Sequence, residues 1–109
     1  MATDGRHALA EETSLELHRA VAERLRAEPA LVERARSRVK GWLREGKAAR
    51  PVAEAWNAEL ARPIEELAAF LVDPSQRARD LRQTSPFAGF LDPRTRWDIW
   101  RRCRQGVRP

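Results

Sequence analysis

The chain has a single cysteine, Cys103, no tyrosine, only five glycines and two lysines, and no apolar run approaching the length of a membrane span. Each shortage excludes something. One cysteine cannot form an intramolecular disulfide or a cysteine-based zinc cluster. His7 and His18 are far from it and fit no ligand spacing, so no metal or other cofactor is expected. The N-terminal stretch MATDGRHALAEETS lacks the apolar core of a signal peptide, and nothing later offers the ~20 apolar residues that cross a bilayer. The expectation is a cytoplasmic protein with no membrane association. Also missing is any nucleophile beside a base: Cys103 follows Arg101 and Arg102 with no histidine near it. Glu65-Glu66 point about 100° apart on a helix, so they do not converge as a catalytic pair. A noncatalytic protein is expected.

What is present is alanine, charge and arginine. At 109 residues the chain suits one small domain with a modest core. The net charge of +5 comes with 42% hydrophobic residues, too apolar for a chain disordered throughout. Nearly all the basic residues are arginines, a bias that a GC-rich coding sequence produces and that also suits bidentate binding of carboxylate or phosphate.

Read in order, residues 1–12 form a flexible N-terminus of mixed charge. Thr13-x-x-Glu16 has the form of a capping box and predicts a helix start. Leu17, Val21 and Leu25, four apart, make its buried stripe. Glu28-Pro29 restarts the chain, because proline lacks an amide that the first helical turn leaves unpaired anyway. The second helix runs from about Pro29 to Glu45, with Gly46 as a left-handed C-cap. Its apolar arc holds Leu31, Val32, Ala35, Val39, Trp42 and Leu43. Arg34, Arg36, Arg38, Lys40 and Arg44 flank that arc. Residues 31–50 are strongly basic, which makes this helix a candidate nucleic-acid surface. It reads first as a solvated helix whose cations meet the acidic segment 51–75, since no motif of Gly, Ser or aromatic residues marks a phosphate or base site.

Pro51 opens a third helix with Val52, Trp56 and Leu60 inward. Arg62-Pro63 ends or kinks it, and Ile64, Leu67, Phe70 and Leu71 carry the pattern onward. As a DNA-reading helix-turn-helix this segment fails, because its second helix is acidic and apolar and phosphate would repel it. Asp73-Pro74 and Asp92-Pro93 each pair an aspartate N-cap with a proline at the first helical position. Between the two resulting helices lies Phe87-Ala88-Gly89-Phe90-Leu91, unusually apolar for a loop. The last helix, from about Pro93 to Gln105, places Trp97, Trp100, Ile99 and Cys103 on one broad face.

The fold expected is an all-α bundle of four or five helices with short loops. Leu17, Val21, Leu25, Val39, Trp42, Trp56, Leu60, Leu67 and Leu71 form its core. Residues 13–83 make the helical core, and residues 84–109 an aromatic, arginine-rich connector and C-terminal helix docked on the core or on a partner. Four of the seven aromatics fall between Phe87 and Trp100. Phe87, Phe90, Leu91, Arg94, Trp97, Trp100 and Arg101 are therefore the candidate partner-binding residues, since tryptophan and arginine are the usual anchors of protein interfaces. A protein partner is expected first, with self-association as a homodimer a further option. Nucleic acid bound by Arg34, Arg36, Arg38, Lys40 and Arg44 is the alternative.

A helical front followed by this tail, in a short Ala- and Arg-rich chain, resembles the small antitoxins of bacterial toxin–antitoxin pairs. The run LRQTSPFAGFLDPRTRW is also similar to the terminal signature of other small bacterial proteins. The resemblance implies a regulator that neutralises an enzyme by covering its active cleft; it names no enzyme and transfers no functional residue.

Overall fold

A computed structural model describes the backbone of residues 2–106 and the side chains of residues 8–105. Met1 and Val107–Pro109, parts of the expected N-terminal segment and C-terminal tail, lie outside the described residues.

Proline and glycine divide the chain. The first helix, α1, runs Ala2–Ala27, and Glu28 closes it by donating its amide to the Arg24 carbonyl at 2.9 Å. Pro29–Leu31 form one 3-10 turn, which passes directly into α2, Val32–Glu45. Gly46 ends α2 at φ 66°, a left-handed conformation that costs glycine little, and its amide donates to the Trp42 carbonyl. After a short linker, α3 spans Arg50–Leu60 and α4 spans Ile64–Leu71, separated at Pro63. Two further helices follow, α5 at Gln76–Arg82 and α6 at Pro93–Gly106. The described residues are all-helical, with six helices rather than four or five. The higher count arises partly because Pro63, at ψ 150°, leaves helical geometry altogether instead of kinking one long helix.

Two local expectations change. Thr13 does not cap a helix: α1 is already helical upstream, and the Thr13 hydroxyl donates to the Leu9 carbonyl at 2.8 Å, the usual arrangement for a threonine inside a helix. The N-cap of α5 is Ser75, whose hydroxyl oxygen accepts from the Ala78 amide while its proton goes to Asp73. At the second Asp-Pro pair the expected cap does form, with Asp92 accepting from the Thr95 amide at 2.8 Å and from the Thr95 hydroxyl at 3.0 Å. These bonds hold the Asp92 carboxyl below its ordinary pKa.

Helix α1 is the hub, packing against α4, α5 and α6, while α2 packs on α3. Val21, Leu25, Val39, Trp56, Leu60, Leu67 and Leu71 are buried as the periodicity requires. Leu17 and Trp42, also expected inside, are only half-buried. The core also takes in Ala35, Ala53, Ala68 and Ala78, small enough for helices to approach closely, and Phe70, Phe87 and Phe90, with Trp42 packed against it. At the centre lies Trp56. Its indole N–H donates to the carbonyls of Leu81 at 3.0 Å and Thr84 at 2.7 Å, so α3 holds the end of α5 through one side chain. Burying ~150–250 Å² of tryptophan at ~25 cal/mol per Å² gives roughly 4–6 kcal/mol of transfer free energy.

Charge is distributed differently from the expected meeting of α2 and α3. Among the described residues no ion pair joins these two helices. Arg36 of α2 reaches the Leu60 carbonyl at 2.9 Å and Glu33 on its own helix. The acidic segment instead pairs with other elements: Glu65 with Arg26 of α1 at 3.1 Å, and buried Glu59 with Arg77 of α5 at 2.6 Å.

Candidate interaction surface

The two halves of the aromatic, arginine-rich stretch are placed differently. In the connector, Phe87 and Phe90 are buried, 5% and 2% exposed, and Leu91 is half-buried. Phe87 sits edge-on to three rings, Trp56 at 5.7 Å, Phe90 at 5.3 Å and His18 at 6.2 Å between centroids. Such T-shaped pairs add to the burial of their area. The chain itself covers the Phe-x-x-Phe element, so neither phenylalanine is presented to a partner in this conformation.

Arginines hold the connector backbone in place. Arg38 donates to the carbonyls of Pro86 at 2.9 Å and Ala88 at 2.8 Å. Arg24 donates to the Phe90 carbonyl at 3.0 Å, and the Arg34 guanidinium lies 4.8 Å above the Phe90 ring. The cations of α2 that flank its apolar arc are thus turned largely to internal use. Arg34, Arg36 and Arg38 all contact the rest of the fold, although Arg34 is exposed, as Lys40 and Arg44 are.

A second clamp comes from residues that sequence reasoning passed over. His18 of α1 is buried beneath the connector, with Nδ1 2.7 Å from the Ser14 carbonyl and Nε2 2.9 Å from Ser85 Oγ. A carbonyl only accepts, so Nδ1 carries the proton and Nε2 accepts from the Ser85 hydroxyl. Ser85 Oγ in turn accepts from the Phe87 amide at 3.2 Å. Burial pushes the His18 pKa down, the Ser14 carbonyl opposes this, and the nearby Arg82 charge adds to it. The ring is neutral at neutral pH. Arg82 is itself buried and donates to the carbonyls of Leu71 and Asp73 at the end of α4. No sequence signal pairs His18 with Ser85, which lie 67 positions apart.

Helix α6 behaves oppositely. It rests on α1 through Ile99 and Cys103, 3% and 5% exposed, two positions one turn apart. Trp97 lies on the side of the helix opposite Ile99 and Trp100 on its flank, 55% and 40% exposed. The single broad apolar face read from the sequence is therefore divided between an inward pair and an outward pair. The two indoles stack on each other, with centroids 5.0 Å apart and planes inclined by 20°, and the Arg104 guanidinium lies 4.6 Å over the Trp100 ring. Arg101 pairs with Asp98 at 3.3 Å, and Arg94 is exposed near the start of the helix. Of the seven candidate partner-binding residues, the structure brings Arg94, Trp97, Trp100 and Arg101 to the surface of one helix and places Phe87 and Phe90 in the core.

Between α1, the connector and α6 runs a groove of about 580 Å³. Its floor is one face of α1 from Leu9 to Val21, one wall is Phe87 to Leu91, and Arg96 and Trp100 stand at its α6 side. No family model, curated protein or solved structure matches the chain.

Proposed function

We propose that the chain is a noncatalytic protein-binding regulator that docks through α6. The observation that carries this reading is the outward, stacked pair Trp97–Trp100. Large exposed aromatics are costly to leave in water, and tryptophan and arginine together are the commonest energetic anchors of interfaces. The partner's chemistry follows from the helix: an apolar cleft to take the indoles, rimmed by carboxylates to meet Arg94, Arg101 and Arg104. An antitoxin covering the active cleft of a toxin enzyme is the specific form of this proposal. The arginines add steering and orientation more than affinity.

The test is co-purification of the tagged chain from its native host, compared with a Trp97→Ser, Trp100→Ser double variant. The expected outcome is one protein retained by the native chain, at least tenfold less by the variant at an unchanged urea midpoint, and an enzymatic activity of that protein which only the native chain suppresses. Equal retention by both would sink the reading. Binding of nucleic acid through α2 has less in its favour, because three of its five candidate cations are engaged within the fold. A gel shift at low salt that collapses as salt is added would restore it. Sedimentation of the double variant against the native chain addresses a homodimer built on the same tryptophans.

A further inference from the structure

The groove beside α6 shares Trp100 with the tryptophan ridge but lies on its inner side, and its lining specifies a ligand. It is mostly apolar, walled by Leu9, Leu17, Val21, Phe87, Leu91 and one edge of Trp100. Its volume of about 580 Å³ falls within the range of small-molecule sites, roughly 300–1,000 Å³. Its length follows α1 from Leu9 to Val21, roughly 18 Å at 1.5 Å per residue. An apolar trough of that length takes an extended alkyl chain along its floor.

The polar groups decide the other end of the ligand. Thr13, His18 and Ser85 have their hydrogen bonds inside the protein. Arg82 has two donor bonds to carbonyls. Arg96 differs: it is exposed at the mouth of the groove, one helical turn before Trp100, and its guanidinium makes no hydrogen bond or ion pair with a described residue. No Asp or Glu lines the groove among the described residues. Beyond Arg82 a second cavity of about 430 Å³ opens, walled by Glu11, Arg79 and Arg82. A negative headgroup is therefore favoured at the Arg96 mouth, where a guanidinium has no partner among the described residues.

We infer that the groove binds a medium-chain alkyl carboxylate, its chain lying along α1 under Trp100 and its carboxylate paired with Arg96. The guanidinium fork matches a carboxylate in a two-bond arrangement, which a primary alcohol cannot reproduce and an alkylammonium would oppose. Occupation would also cover the inner edge of Trp100, so the ligand site and the outward ridge share one side chain.

Isothermal titration calorimetry of the full chain with decanoate and decyltrimethylammonium below their micelle concentrations, and decan-1-ol below its solubility limit, tests this. The expected result is one saturable decanoate site, decan-1-ol at least tenfold weaker, and no binding of the cation. Arg96→Gln, at an exposed position with no internal partner, should bring decanoate down to the level of the alcohol. Leu17→Trp, filling the groove from a half-buried position, should weaken both, with helix content followed by circular dichroism. Absence of saturable decanoate binding, a preference over the alcohol smaller than tenfold, or decanoate binding undiminished in Arg96→Gln would each overturn the proposal. The docking reading is judged separately, on Trp97, Trp100 and a protein partner, so either can fail alone.

Discussion

The connector at residues 84–91 and the helix α6 have nearly the same ingredients, two aromatics each and arginines close by, yet the protein uses them in opposite ways. In the connector the rings go inside, and arginines from α1 and α2 satisfy the backbone carbonyls the turn leaves open. In α6 the backbone satisfies itself, and the arginines and rings are left facing water. The difference shows what decides the fate of an aromatic in a small protein. A loop of five apolar residues has no regular face to orient, so it is stable only where other elements supply both apolar cover and donors. A helix needs only one apolar stripe, and Ile99 with Cys103 is enough to seat it.

Substituting the rings breaks this comparison most directly. Phe90→Ala should lower stability by about 3–5 kcal/mol, the usual cost of removing a buried phenylalanine. Trp97→Ala should change it by less than about 1 kcal/mol, as expected for an exposed side chain. Urea unfolding followed by far-ultraviolet circular dichroism measures both, and similar losses would mean that α6 is seated through its tryptophans after all.

The arginine clamp gives a smaller effect. Arg38→Met leaves the part-buried Pro86 carbonyl without its donor and should cost about 1–3 kcal/mol, the range for a buried acceptor left unpaired, while the exposed Ala88 carbonyl turns to water. Lys40→Met, two positions along the same helix and exposed, should stay within about 0.5 kcal/mol. Equal effects would show that the basic residues of α2 act only as a solvated set.

Acid should loosen the connector before it touches the cap of α6. His18 has its folded pKa lowered below the ordinary ~6.5, chiefly by burial. In the window between those two values the unfolded chain binds a proton that the folded chain refuses. Stability is therefore complete above the unfolded value and falls as pH drops from there toward the lowered folded value. The Asp92 carboxyl is also lowered, by its bonds to Thr95, but its contribution is present above the ordinary carboxylate pKa and is lost only as pH falls through the folded value. The urea midpoint should thus decline between pH 7 and pH 5, and His18→Gln should flatten that decline. An unchanged slope in the variant would remove His18 from the account.

Iodide quenching gives the smallest and simplest contrast. Trp97 and Trp100 should account for most of the quenchable fluorescence and Trp56 for none, so the Trp97→Phe, Trp100→Phe variant should lose most of its accessible fraction.

Much of the segmentation was legible in the sequence. Pro29, Pro51, Pro63 and Pro93 open or separate helices, Gly46 ends one, and stripes such as Val21–Leu25 and Trp56–Leu60 turn inward, because helix breaking and four-residue spacing are properties of neighbouring residues. The capping box at Thr13 misled for the same reason. It is a local pattern, and the helix upstream, which it does not register, had already used the amides it was to satisfy.

Sequence alone thus determined an all-helical chain, its main breaks and most of its core. Tertiary structure alone decided which aromatics are covered. Phe87 and Phe90 are inside because Trp56, His18, Arg24 and Arg38, between 31 and 69 positions away, meet them or their backbone, while among the described residues no ring or guanidinium from another element lies on Trp97 or Trp100. Periodicity reports which side chains share a face. Whether that face is buried depends on long-range contacts, whose partners carry no mark in the spacing of either segment.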